Sequence, residues 1–307
     1  MSPAQASASR SFEDEGSHTV TLPGGQVAHA AHATHDEVLA RRLYEVRSGV
    51  WCLVGNGLSN QTFIEGPDGI IAIDTGESVQ EMRAALDELG AVTDRPIVAV
   101  LYTHFHYVSG TQAVIDGTGH HVPIYGHERI AVNRVRAGAE IGPTYGRGIA
   151  EQFGLLLPAD GPDSLVNVGL GRCFRDPAHA PFTPGYLPAD HTFGEGCTLH
   201  VAGLEIEVQP APSDADDSVT YWFPSLGVAV NNLVWPALFN VFAIRTEEYR
   251  DPRVLLTGLD HLASLGAEHL VGAHGPPISG PDLADRVIRY RDSIQFIWDQ
   301  TVRHTNR

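Results

Sequence analysis

Cysteine is scarce in this 307-residue chain: Cys52, Cys173 and Cys197 form neither an even set nor a close pair. That excludes a disulfide scaffold and a cysteine-rich zinc site. Positive charge is scarce too. Twenty Lys and Arg stand against 37 Asp and Glu, a formal charge of −17. The basic footprint that nucleic acid or an anionic membrane surface requires is therefore missing. No stretch approaches the roughly 20 apolar residues that cross a bilayer. The opening MSPAQASASRSFEDEG has no apolar core behind a basic start, unlike a secretory signal, so a cytoplasmic chain is expected. No internal repeat or low-complexity run interrupts 36–307. What is present is globular: 43% hydrophobic, 19% charged, with 16 histidines whose placement matters more than their number.

Residues 1–35 are small and polar, with His18, His29, His32 and His35 scattered among them, and read as a flexible arm. Order is expected from residue 36 on, as a single domain, since α/β architectures of this length often close as one. THDEVLARRLYEV (34–46) predicts a short helix that Thr34 or Asp36 can cap. VWCLVG and NQTFIEG read as strands, and Pro67-Asp68-Gly69 as a turn. IIAID and IVAVLY flank a helix with Val79, Met82, Leu86 and Leu89 on one face and Gly90 at its end, a βαβ pattern. Continuously apolar strands of this kind belong in a sheet covered by helices. The Gly- and Pro-rich stretch 138–195 reads as a long functional loop or an interface. LHVAGLEIEV predicts a hairpin about Ala202-Gly203, and VTYWF, GVAV and VFAI further strands. Asp251-Pro252 opens a helix that Gly266 stops, HLVGA is a last strand, and a stripe of Leu283, Val287, Tyr290, Ile294 and Ile297 marks a final helix. Two β-then-α blocks predict an α/β fold: two sheets face to face with helices outside, an αββα sandwich.

The sharpest chemical signal is Thr103-His104-Phe105-His106, directly after IVAVLY. A His-x-His pair at the carboxyl end of a parallel strand aims two imidazoles where open α/β sheets bind ligands, and neutral imidazole is a common zinc ligand. Asp74-Thr75-Gly76 follows the neighbouring strand, and His274 follows HLVGA at another strand end. Asp74 reads as a group orienting the metal-site histidines, or else as the cap of its own turn.

These residues resemble the metallo-β-lactamase superfamily. LeuTyrGluVal at 43–46, the segment from Tyr145-Gly146-Arg147 to Pro158, Asn240-Val-Phe-Ala-Ile-Arg245 and Trp298-Asp-Gln300-Thr-Val-Arg303 are similar to its alkylsulfatase branch. The resemblance runs from about residue 40 to the end and implies the same αββα sandwich. It also exposes departures. The family motif is His-x-His-x-Asp-His, whereas here Val108 and Ser109 occupy the last two places, which belong to a second metal. The resemblance puts the first-site carboxylate on Asp214, with Asp216 and Asp217 as rivals, and puts Asn232 where a bridging glutamate is expected. It implies substrate-facing roles for Asn240 and Arg245; Trp235 is a candidate wall of an apolar pocket.

A two-metal centre is therefore not expected. His104, His106 and Asp214, joined by Asn232 or His274, can hold one divalent ion, zinc or alternatively manganese, that lowers a water's pKa toward roughly 7. The other possibility is a degenerate, empty site. In the family a histidine between the bridging glutamate and the asparagine is thought to protonate the leaving oxygen; Leu233–Phe239 contains none. Lacking a general acid, the chain is expected to favour a leaving group that departs as a stable anion. The expected function is metal-dependent hydrolysis of a small hydrophobic substrate: an activated aryl ether such as a nitroaromatic methyl ether, an aryl halide, or a sulfate ester. Asp74 and Asn232 are the catalytic candidates. The alternative is a catalytically silent subunit, assembled with a related chain that carries the full metal motif. Homo- or hetero-oligomerisation is expected in either case.

Overall fold

The computed structural model describes residues 18–236 and 250–307. Strands β1 (Thr19–Thr21) and β2 (Val27–His29) form a short hairpin that leads into helix α1 (Ala30–Val38). Residues 18–35, expected to be a polar arm, thus carry a hairpin and most of a helix. The helix expected over 34–46 ends at Val38, and its second half becomes strand β3 (Arg42–Arg47). Pairing decides this: Leu43 and Tyr44 oppose Leu53 and Cys52 of β4 (Val50–Val54), and such cross-strand contacts override a modest helical preference.

The first sheet continues through β5 (Gln61–Gly66) and β6 (Gly69–Ile73). After α2 (Val79–Gly90) comes β7 (Ile97–Leu101), and after α3 (Thr111–Thr118) comes β8 (Ile124–His127). β3 to β6 are antiparallel, and β6 to β8 parallel, as the βαβ pattern required. The Ser78 hydroxyl accepts from the Glu81 amide at the start of α2, while Glu81 reaches back to the Glu77 amide, so both ends of the first turn are satisfied.

The next segment corrects the expectation of one long irregular loop. α4 (Ile130–Val135) widens into a π-helical turn, Arg136–Glu140, and then α5 (Gly142–Gln152), opened by Pro143, before irregular chain leads to β9 (His191–Phe193) at the edge of the first sheet. The second sheet has the order β10 (Cys197–Val201), β11 (Leu204–Pro210), β12 (Val219–Phe223), β13 (Val228–Asn231), β14 (His269–Gly272), β15 (Ile278–Ser279). The β10–β11 hairpin turns at Ala202 and Gly203, both at positive φ, as a two-residue hairpin loop demands. α6 (Pro252–Ser264) precedes β14, and α7 (Leu283–Thr305) closes the chain. The strand expected at VFAI lies outside the described residues.

The two-faced burial of the first sheet explains its continuous apolar runs. Trp51, Leu53, Ile70 and Ala72 face α2 and α3, while Val50, Cys52, Ile71 and Ile73 face the second sheet. From the other side Ile206, Val208, Val219, Tyr221 and Val230 fill the space between the sheets, and Ala229 and Leu270 turn outward onto α6 and α7. The result is an α/β sandwich of two mixed sheets flanked by helices. Its strand ends bring Asp74, the 103–109 loop and His274 toward one edge.

Candidate metal centre

β7 ends at Leu101, and the next eight residues fold tightly around the neighbouring strand end. Thr75 N–H donates to the Tyr107 carbonyl, and Ser109 N–H to the Gly76 carbonyl. Gly110 packs so close to the Thr75 carbonyl, 2.0 Å from where a Cβ would stand, that no side chain fits there. Asp74 holds φ +57°, left-handed backbone that Asp adopts more readily than most residues. In that conformation its carboxylate accepts from both Thr103 N (2.8 Å) and Thr103 Oγ1 (2.6 Å).

Thr103 passes this constraint to the metal-type ligands. Its Oγ1 stands 2.8 Å from His104 Nδ1. The hydroxyl proton is already given to Asp74, so Nδ1–H donates to Thr103, and Nε2 is left to carry a proton toward Asp214 or, once that proton is lost, a lone pair for a cation. That nitrogen points at Asp214, 3.6 Å from Oδ1, while His106 Nδ1 lies 3.0 Å from Oδ2. The ligand atoms of His104, His106 and Asp214 all lie within 4.8 Å of one another, a spacing that one divalent ion can draw together. His104 is fully buried and Asp214 is 5% exposed. Burial opposes ionisation of Asp214, yet His104, His106 and Arg250 hold its carboxyl well below the usual carboxylate range. The rivals have other partners. Asp216 is bound by Arg129 and Asn133, and Asp217 lies against Asn133 and the Phe105 amide, its carboxyl pushed up by burial to about 7.

Asn232, at the end of β13, enters this group with its nitrogen. Trp235 Nε1–H can only donate, and it reaches Asn232 Oδ1 at 2.9 Å, which turns Nδ2 toward Asp214 Oδ1 at 2.6 Å. In this arrangement the amide is a donor to Asp214 and offers a cation no oxygen. Trp235 thereby helps hold the centre, a role apart from the pocket wall expected of it.

His274 is not drawn into the three-residue group. Its Nδ1 faces the Leu58 carbonyl at 2.9 Å and its Nε2 faces the Tyr107 hydroxyl at 3.3 Å. The Tyr107 ring stands edge-on to both His104 and His274, with centroids 5.1 and 5.3 Å away, so the phenol fills the space between them. Val108, fully buried, packs with the core under α2 and α3. One ion fits the donors present; a second finds an aliphatic group, a phenol and an amide nitrogen.

Asp74, Asn232, Trp235, His104, His106 and Asp214 are thus brought together, and His274 stands one phenol away. Asn240 and Arg245 lie outside the described residues. Sequence reasoning missed the bridging role of Thr103, although a hydroxyl next to a ligand histidine is a signal for it; the phenol of Tyr107, which the sequence offered as a possible plug of the cavity, stands between His104 and His274. Asp74 itself is pushed up to about 7 by burial, against the two hydrogen bonds from Thr103 that favour its charge.

Residues 54–229 match the family model of the metallo-beta-lactamase superfamily. A linear primary-alkylsulfatase from Pseudomonas sp. (strain ATCC 19151) is 35% identical over 252 residues, covering 80% of this chain and 47% of that protein. An (R)-specific secondary-alkylsulfatase from Pseudomonas sp. is 26% identical, covering 86% of this chain and 41% of that protein. The chain spans under half the length of these curated relatives. Among solved structures, a stereoselective inverting sec-alkylsulfatase from Pseudomonas sp. superposes with a TM-score of 0.79 at 22% identity, over 94% of this chain and 50% of that one. A metallo-beta-lactamase from Pontibacter korlensis gives 0.52 at 16% identity, over 82% of this chain and 99% of that one. With a family model covering more than half of its residues and the same sandwich in its fold, the chain belongs to the metallo-beta-lactamase superfamily.

Proposed function

We propose that the chain is an alkylsulfatase-like hydrolase working with one divalent metal ion, zinc or manganese, held by His104, His106 and Asp214. The observation that carries this reading is the convergence of three buried N and O donors, one kept ionised, beside a neighbouring position that Val108 makes useless to a cation. When bound, the ion supplies Lewis-acid polarisation and makes a water more acidic. The chain's own groups do the rest. Asp74, through Thr103, fixes the tautomer of His104. Trp235 and Asn232 hold the Asp214 carboxylate in place by a donated hydrogen bond. Tyr107 bears a hydroxyl proton near the centre, backed by His274.

Sulfate esters fit the similarity to alkylsulfatases. An activated aryl ether, such as a nitroaromatic methyl ether, or an aryl halide fits the chain's lack of a histidine between Asn232 and Asn240, because a phenolate or halide leaves without a proton. The substrate class is a small hydrophobic molecule with such a leaving group. The test is metal analysis of the purified chain together with its activity. About one equivalent of zinc or manganese, lost in His104→Ala along with hydrolysis, is the expected result. A chain that takes up no metal from excess zinc overturns it.

A second reading has its own observation. Asp214 already receives the Asn232 amide and lies against both imidazoles, so its carboxylate has partners without an ion. This favours a silent subunit that shapes or stabilises an assembly with a related chain bearing the full motif. It predicts no metal in the isolated chain and hydrolysis only after that sister chain is added.

A further inference from the structure

The loop that carries His106 separates two hollows, both bordered by Phe105 and Ala137. The smaller, about 270 Å³, opens beside Asp214. The larger, about 790 Å³, has His106 and Tyr107 on its floor and lies within the size range of small-molecule sites. Its roof is the π-helical turn and the start of α5, the kind of local widening often found at functional sites. The rim is aromatic. Tyr145, Phe174 and Phe182 line it, and Phe174 is itself stacked on Phe153 at 4.7 Å, which fixes the ring.

Two guanidinium groups line the same hollow. Arg175 lies over Phe174 and Phe182, 5.1 and 5.5 Å from the ring centroids, and is offset by Glu77 at 3.8 Å, which also faces the hollow. Arg134 is different. It lies 4.5 Å above the Tyr186 ring and donates to the Phe105 carbonyl at 3.4 Å, with no carboxylate at ion-pair distance among the described residues. The ring and the carbonyl position this half-buried cation but do not neutralise it, and burial disfavours its charge. A guanidinium so placed is completed by an anionic or strongly polarised oxygen group entering from the hollow.

We propose that this hollow is a binding site for a small aromatic molecule bearing an anionic or strongly polarised oxygen substituent, the ring lying among Tyr145, Phe174 and Phe182 and the substituent on Arg134. The preference for a ring over an alkyl chain follows from the rim, where flat faces and cations offer stacking that an alkyl chain cannot use. That the bound molecule is also the substrate rests on the one-metal hydrolase reading; occupancy of the hollow does not.

Calorimetric titration of the full chain separates the contributions. The probes are 4-nitrobenzenesulfonate, octane-1-sulfonate, which keeps the anion and loses the ring, and nitrobenzene, which keeps the ring and loses the full charge. The aromatic sulfonate is expected to bind at least about tenfold more tightly than octane-1-sulfonate. Arg134→Gln is expected to weaken its binding by about tenfold or more while leaving nitrobenzene nearly unchanged, and Arg134→Lys to restore part of the loss. Equal binding of the two sulfonates, or an Arg134→Gln chain that is folded by circular dichroism and binds the sulfonate like wild type, overturns the proposal. If Arg134→Gln fails to fold, Phe182→Leu replaces it: it must weaken the aromatic sulfonate and spare octane-1-sulfonate, and no change overturns the proposal. Because the readout is binding and not turnover, a chain that takes up no metal and hydrolyses nothing still tests the hollow.

Discussion

The loop from Thr103 to Ser109 has two halves that share one backbone and differ in purpose. In the first, His104 and His106 are aimed at an ionised, buried carboxylate, and every neighbour of that group is itself held: Thr103 by Asp74, Asn232 by Trp235. In the second, Tyr107 and Val108 fill space, one against His274 and the other in the core. Within one to four residues, the chain thus passes from a ligand set to groups that fill space. Deleting a single ligand would leave a hole lined by polar groups, at a cost of about 1–3 kcal/mol for each buried group left unpaired. Replacing the neighbours as well leaves a packed and hydrogen-bonded interior.

The largest effect expected from breaking this difference comes from Val108→Asp. A carboxylate at this fully buried place has no cation beside it among the described residues, so unfolding should be easier by about 3 kcal/mol or more, read by denaturant titration. Metal content should not rise above one equivalent, because Tyr107 and the Asn232 nitrogen remain. A stable variant with two bound ions would show that the second half is only a single substitution away from a metal position.

The next effect concerns pH. Burial pushes Glu81 up to about 8, with Glu77 adding to it, and pushes Asp74 and Asp217 to about 7. The folded chain holds these protons to higher pH than the unfolded chain, whose carboxyls titrate near 4. Their contribution to stability is therefore full below pH 4 and falls as pH rises through 7 to 8. Asp214 has the opposite sign and is lost only on acidification below the carboxylate range. Metal-free protein should lose stability between pH 5 and pH 9, on the order of 3 kcal/mol from Glu81 alone. Glu81→Gln, a neutral mimic of the protonated acid remote from the ligand set, should flatten that part of the profile. An unchanged slope would show that Glu81 is not the group responsible.

The smallest effects sharpen the comparison most. Trp235→Phe removes the donor that turns the Asn232 amide, and metal affinity should fall by about 10- to 100-fold, the usual cost of losing a group that orients a ligand. Tyr107→Phe removes the hydroxyl that meets His274 at a long 3.3 Å, so it should leave affinity within about threefold and cost under about 1 kcal/mol of stability. Equal losses in both variants would mean that the two halves act as one unit.

Much of this architecture is legible in the amino-acid sequence. The βαβ unit, the hairpin at Ala202-Gly203, the helix opened by Asp251-Pro252, the final helix marked by its apolar stripe, and the His-x-His pair at a strand tip all follow from local patterning, which reports burial and turn chemistry directly. The segment at 34–46 misleads because Leu43-Tyr44-Glu45-Val46 suits either a helix or an edge strand, and only its partner β4 decides. The Gly- and Pro-rich stretch hides α5 because Pro143 at the helix start is favourable, whereas in a count of residues it reads as a breaker.

By itself the sequence determined that this chain folds as an αββα sandwich with two imidazoles at one strand end, since alternation and turn residues are local properties, while the meaning of Val108 came from the resemblance to the family motif. Only the tertiary structure decided which of three aspartates meets those imidazoles, that Asn232 turns its nitrogen inward, and that Tyr107 stands between His104 and His274. Each depends on contacts between residues far apart along the chain, where a few tenths of an ångström and the direction of one donor choose the partner, and no sequence spacing encodes either.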